Sequence, residues 1–133
     1  MLSLKRQKKT TEATSPFVPS GLIAQTEKGF FYIKGQKRFK FVSDRARDSW
    51  GLKVVKTKES YIPNIKLSGI IGFRDGTLIK NISTSKLYLI SDNLKRHIAS
   101  PDVLTWLGYN KNDIIVVSNK EAAVHKEGDS LNG

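Results

Sequence analysis

The segment Phe31-Tyr32-Ile33-Lys34-Gly35-Gln36-Lys37-Arg38-Phe39-Lys40-Phe41-Val42 decides the fold. Its first three residues are aromatic or β-branched, as strands prefer. Lys34-Gly35-Gln36 has the composition of a turn. Arg38-Phe39-Lys40-Phe41-Val42 then alternates polar and apolar, so a second strand is expected to bury one face and turn a basic face outward. Two such strands and a turn predict a β-hairpin.

The pattern recurs. Leu22-Ile23 precedes Phe31-Tyr32-Ile33 by the interval that separates Leu78-Ile79 from Leu87-Tyr88-Leu89. Each triplet is followed by a polar turn, the second being Ser91-Asp92-Asn93, and by a basic pair, Lys37-Arg38 or Lys95-Arg96. Ser43 and Gly51 return as Ser100 and Gly108 at identical spacing. Val54-Val55-Lys56-Thr57-Lys58-Glu59 is echoed by Val116-Val117-Ser118-Asn119-Lys120-Glu121. Landmarks kept in one order, with length changes only between them, identify an internal duplication.

A helix is expected after each hairpin. Ser43 and Ser100 are N-cap candidates, and Asp44 and Asp102 place negative charge in the first turn. Pro101 suits the first helical position, and Gly51 and Gly108 stand where a left-handed C-terminal residue is needed. About two turns cannot stand alone and must be packed. Trp50 in the first copy, and Val103, Leu104, Trp106 and Leu107 in the second, are the expected apolar faces. Lys53-Val54-Val55-Lys56 and Asp113-Ile114-Ile115-Val116-Val117 read as a third strand.

The expected architecture is therefore α+β: two small tandem repeats, each a β-hairpin, a short helix and a third strand, preceded by an extended N-terminal arm. Residues 1–20 form the basic arm, 21–61 the first module and 75–125 the second. Residues 62–74 form an apolar connector that should be buried, and 126–133 a frayed tail. Pro16-Phe17-Val18-Pro19 favours an extended chain, since each proline biases its predecessor away from the helical region. Units this small rarely stabilise themselves, so the copies are expected to pack on each other or on partners.

Composition narrows the function. The chain has 133 residues, 23 Lys+Arg against 12 Asp+Glu, two His and no Cys. The missing Cys excludes disulfide scaffolds and Cys-based zinc sites. The net charge of +11 implies an anionic partner or a solvated assembly surface. It is uneven: residues 1–20 carry four basic residues against one acidic, 21–61 ten against four, and 62–133 nine against seven. No run approaches the roughly 18 apolar residues of a membrane span. The basic start lacks the apolar region of a signal peptide, so synthesis in the cytosol is expected.

Asp75-Gly76-Thr77-Leu78-Ile79-Lys80 opens a more specific pattern. It runs through Leu87-Tyr88-Leu89-Ile90, Lys95-Arg96-His97-Ile98, Ser100-Pro101-Asp102-Val103-Leu104 and Leu107-Gly108-Tyr109 to Asp113-Ile114-Ile115-Val116-Val117-Ser118 and Glu127-Gly128-Asp129. This resembles a short repeat found, often in tandem, in bacterial surface and cell-wall-associated proteins, with similar segments in virion proteins of tailed phages. The likeness covers residues 75–131 well and 21–61 loosely. The first copy lacks the Asp-Gly-Thr opening and the Ser-Pro-Asp helix start and is far more basic. The resemblance implies an accessory, non-catalytic module for attachment or scaffolding.

The residues themselves point the same way. There is no nucleophilic motif, no phosphate-binding glycine-rich loop and no paired carboxylate, so no catalytic, cofactor-binding or metal residue is nominated. His97 reads as a hairpin residue, and His125 is given no role. The nominated partner contacts are Lys5, Arg6, Lys8, Lys9 and Phe17 in the arm, then Lys37, Arg38, Arg45, Arg47, Lys95 and Arg96. The recurring pairs read as solvated strand faces that discourage edge pairing, or as contacts to an acidic or phosphate-bearing surface. The expected function is a non-enzymatic virion structural protein of a tailed phage, in head, neck, tail or baseplate. It would stand in multiple copies, homo- or hetero-oligomeric, among other virion proteins, with no membrane partner and nucleic acid secondary. The alternatives are a nucleic-acid-binding protein using the arm and first module, and a cell-envelope or glycan-binding module exposing Trp50 or Trp106.

Overall fold

The computed structural model describes residues 18–132. The fold is α+β and is built from two five-stranded mixed sheets with three short helices. The first sheet contains β1 (Ile23–Thr26), β2 (Gly29–Lys34), β3 (Lys37–Phe41), β4 (Val54–Lys56) and β5 (Lys66–Ile71). The second contains β6 (Leu78–Asn81), β7 (Leu87–Ser91), β8 (Leu94–His97), β9 (Ile114–Val117) and β10 (Lys126–Glu127). The helices are α1 (Asp44–Trp50), α2 (Pro101–Trp106) and α3 (Asn119–Ala123).

The two sheets share one topology. Their strand orders are β4-β1-β2-β3-β5 and β9-β6-β7-β8-β10. The first three strands of each form an antiparallel meander, and the fourth returns parallel to the first. Registers match as well: Val54–Ile23–Tyr32–Phe39 form one cross-strand row, and Ile115–Ile79–Tyr88–His97 form its counterpart. The ring centroids of Tyr32 and Phe39 lie 6.4 Å apart, and those of Tyr88 and His97 lie 5.8 Å apart.

Local chemistry explains the turns. The β7–β8 loop has two residues, Asp92 and Asn93, with φ of 53° and 64°. That is the pair of left-handed positions a tight type I′ hairpin requires. Gly35 supplies the left-handed residue in the β2–β3 loop. Gly51 and Gly108, at φ 60° and 85°, end α1 and α2 as the sequence pattern predicts. Ser43 caps α1 by accepting from the Ala46 N–H at 3.1 Å. Ser100 is the N-cap of α2, but its side chain makes no capping bond, and Pro101 opens that helix instead.

The chain divides into two compact units that differ from the sequence-based modules. Among the described residues, unit 1 is formed by residues 18–41 and Gly51–Ile70; unit 2 is formed by Val42–Trp50 and residues 71–132. The expected first module therefore loses its helix to unit 2. The reason lies in α1 itself: Asp-Arg-Ala-Arg-Asp-Ser-Trp offers only Ala46 as a fully buried apolar contact, so polar bonds decide where it sits. Those bonds are Arg45 and Ser43 to Glu121, the Trp50 indole N–H to the Gly72 carbonyl at 2.9 Å, and the Arg74 N–H to Ser49.

The core of unit 1 joins Val18, Ala24, Phe31, Ile33, Ile62 and Ile65. Val18, placed in the arm by the sequence, is thus a core residue, because Leu22, Ala24 and Ile33 leave an apolar face to cover. Unit 2 has two cores on opposite faces of its sheet. One joins Ala46, Phe73, Ile79, Tyr88, Ile90, Val117 and Ala122. The other joins Leu78, Ile98, Val103 and Leu104 beneath α2. Each fully buried aliphatic or aromatic side chain contributes roughly 1.5–3 kcal/mol.

The connector is used by both units: Ile62 and Ile65 are buried in unit 1, and Phe73 is buried in unit 2. The frayed-tail expectation for 126–133 is corrected over its first six residues. β10 pairs with β8, Gly128 N–H donates to Lys95 O at 3.0 Å, and Leu131 N–H donates to His97 O at 2.8 Å. The exposed backbone of β8 supplied the partners that a tail lacks on its own.

Candidate functional site

The nominated arm residues Lys5, Arg6, Lys8, Lys9 and Phe17 lie outside the described residues. The other nominated cations divide between the two units. Arg38 is corrected outright. It is 6% exposed, and its guanidinium is consumed internally. Nε donates to Ile65 O at 2.8 Å, Nη2 to Ile62 O at 3.2 Å, and Nη1 to both oxygens of Glu59 at 2.9 and 2.7 Å. Its charge also stands 4.9 Å over the Phe31 ring. A buried guanidinium is tolerated when its donors are satisfied in this way.

Arg45, Arg47, Lys95 and Arg96 are also engaged within unit 2. Arg45 binds Glu121 at 2.6 Å, and Arg47 bonds Asp44 and Asp48 along its own helix. Lys95 Nζ donates to Ala122 O at 3.3 Å, and Arg96 Nε donates to Asp129 O at 2.9 Å. Lys37 alone of these remains exposed without such a bond, opposite Lys34 at the hairpin turn.

Two carboxylates organise the units. Glu59 accepts from Arg38 and, at 2.6 Å, from the Thr26 hydroxyl. Burial alone would raise its pKa, but the bonds from Arg38 and Thr26 outweigh that and hold it below the ordinary value. Glu121 accepts from Arg45, the Ser43 hydroxyl and the Ser118 N–H. Burial again opposes ionisation, and these bonds overcome it, bringing the pKa down to about 2.

His125 is a further buried group that no local sequence pattern singles out. It is 1% exposed; its Nε2 accepts from the Phe73 N–H at 2.9 Å, so Nδ1 carries the proton toward Asn93 O at 2.8 Å. Burial lowers its pKa, and nearby Lys95 adds to the lowering against Asn93 and Asp75. Among the described residues no group of three or more His, Asp or Glu could hold a metal ion, and no helix is long and apolar enough to cross a membrane.

The surfaces left open are grooves, edges and one indole. Unit 2 carries a groove of about 560 Å³ between α2 and the sheet, floored by Leu87, Ile98, Ile114 and Val116 and rimmed by Lys80 and Lys111. Unit 1 carries a smaller one, about 230 Å³, over Phe31, Ile65 and Leu67, lined also by the Arg38–Glu59 pair and by Lys28 and Lys66. Phe31 and Leu87 are register equivalents, since they pair with Ala24 and Lys80 at matching places in the two sheets. Both grooves therefore open on the same face of the duplicated fold.

β5 ends the first sheet, with Leu67 and Ile70 62% and 63% exposed. Trp106, expected to pack as part of the α2 apolar face, is corrected: it is 77% exposed. Val103 and Leu104 already fill the contact with the sheet, and a six-residue helix has only one face to bury.

Charge also separates by unit. Among the described residues of unit 1 the lysines at 28, 34, 37, 40, 53, 56, 58 and 66 are all exposed, against a single exposed acid, Glu27. No protein-family model, no curated protein and no solved structure matches this chain.

Proposed function

We propose that the chain is a non-enzymatic structural protein of a tailed-phage virion. In this reading it joins or decorates the assembly through its arm and its two small modules, beside other virion proteins and in multiple copies. The observation that carries the reading is β5, an edge strand whose Leu67 and Ile70 lie open to solvent. An exposed edge strand carrying apolar side chains is a pairing template that isolated proteins suppress, and an assembly component has a use for it. The virion setting comes from the resemblance carried by residues 75–131.

The test is incorporation. Virions purified from the phage that encodes the chain should contain it at a fixed copy number by quantitative mass spectrometry. Removal of residues 1–17, which leaves Val18 in place, should abolish incorporation without shifting the denaturation midpoint of the rest. Absence of the full chain from particles would sink the reading.

A second reading is favoured by the exposed lysines of unit 1: binding to nucleic acid through the first module. It requires retention on DNA or RNA that weakens steeply with salt, as released counterions dictate. No retention at low salt eliminates it.

A further inference from the structure

The groove of unit 2 is built differently from an ordinary surface depression. Its floor is apolar, from Leu87, Ile98, Leu104, Ile114 and Val116, and Val116 is 46% exposed although it stands in a strand. Its charged lining residues are Lys80 and Lys111, with no carboxylate among them. β9, which gives Ile114 and Val116 to the floor, is the end strand of its sheet, so its outer backbone groups face no further strand among the described residues. The near-neutral balance of the surrounding unit makes the two lysines a local feature, and the smaller groove of unit 1 differs, since Glu59 and Arg38 line it beside Lys28 and Lys66.

From this combination we infer that the groove receives an extended segment of a partner protein, added beside β9, with apolar side chains on the groove floor and acidic side chains at Lys80 and Lys111. An open strand edge supplies main-chain hydrogen bonds, and alternate side chains of an added strand reach the groove. The paired lysines select against a basic segment, so the chain's own arm, with Lys5, Arg6, Lys8 and Lys9, is the wrong occupant. A volume of about 560 Å³ holds two or three side chains, which suits a short strand. This inference deepens the assembly reading above and rests on it for the source of the segment.

The test uses the full chain and a fluorescein-labelled octapeptide of alternating Glu and Val, compared with its Lys–Val counterpart. The acidic peptide should bind at least tenfold more tightly by fluorescence anisotropy. It should shift the amide signals of Ile114–Val117 and Ala99–Ser100 and leave those of unit 1's β1 unmoved. Lys80→Glu with Lys111→Glu should weaken it at least tenfold, whereas Lys120→Glu with Lys126→Glu, an equal change of charge outside the groove, should change it less than twofold. Equal loss in both double variants, shifts elsewhere, or equal affinity for the acidic and basic peptides would overturn the proposal. Failure of the peptide while the chain still enters virions removes the groove alone. Peptide binding by a chain absent from virions removes the assembly reading alone.

Discussion

The imidazole of His125 accepts a hydrogen bond from the backbone N–H of Phe73, 2.9 Å away and 52 residues earlier in the chain. The bond fixes the tautomer, because Nε2 must be bare to accept while Nδ1 donates to Asn93 O. Protonation would place two N–H groups face to face inside unit 2.

Acid should therefore weaken unit 2 through His125. Its folded pKa lies below the ordinary 6.5, so the unfolded chain binds the proton first. The stabilisation is complete above about pH 6.5 and declines as pH falls from there through the lower folded value. Urea midpoints measured across pH 7.5 to 5 should fall for the natural chain and stay flatter for His125→Gln. Identical profiles would rule out the histidine as the cause.

Gly72 tests the same clamp from the other side. A Cβ on Gly72 would stand 2.3 Å from His125 Nε2 and 2.9 Å from its Cε1, so the ring would have to move. Gly72→Ala is expected to cost about 1–3 kcal/mol, the usual range for overpacking a filled site. The downfield Phe73 amide signal expected of an N–H to imidazole bond should shift upfield in that variant.

Glu121 should give a second and more acidic transition. Its pKa falls from the ordinary 4.5 to about 2 on folding, so its contribution is full above pH 4.5 and is lost as pH drops toward 2. Glu121→Gln should remove that portion of the midpoint's pH dependence. It should also loosen α1, since Ser43 and Arg45 both bond this carboxylate. Faster amide exchange across Ala46–Trp50 is the readout.

In unit 1 the Arg38–Glu59 pair should behave as a buried ion pair. Its side chains are 7% and 19% exposed, and removing one partner strands the other. Arg38→Ala is expected to cost about 3–5 kcal/mol, and a paired Arg38→Met with Glu59→Leu much less. A thermodynamic cycle over the single and double variants measures this coupling.

The two tryptophans should separate cleanly. Trp106 is 77% exposed, so Trp106→Ala should change stability by no more than about 0.5 kcal/mol. Trp50 donates to the Gly72 carbonyl, and Trp50→Phe should cost about 0.5–1.5 kcal/mol. Fluorescence quenching by acrylamide should be strong for Trp106 and weak for Trp50.

The duplication, the hairpins, the third strands and the left-handed Gly51 and Gly108 were all legible in the sequence. Each depends on a period of two, on turn chemistry or on helix termini, and those act between residues a few positions apart. The sequence reading turned Arg38 outward on the basic face of its strand, whereas its side chain is buried. That depends on Glu59, Ile62 and Ile65, which lie 21 to 27 residues away.

Tertiary structure alone decided four things: that α1 joins unit 2, that His125 is a clamp, that Trp106 stays outside, and that Lys80 and Lys111 share a groove. Ser43 and Glu121 are 78 residues apart, and no local pattern links an acid to one arginine among the many the chain offers. Local patterns determine which elements form. The satisfaction of buried charges and backbone groups across the whole chain determines where those elements go and what they leave exposed.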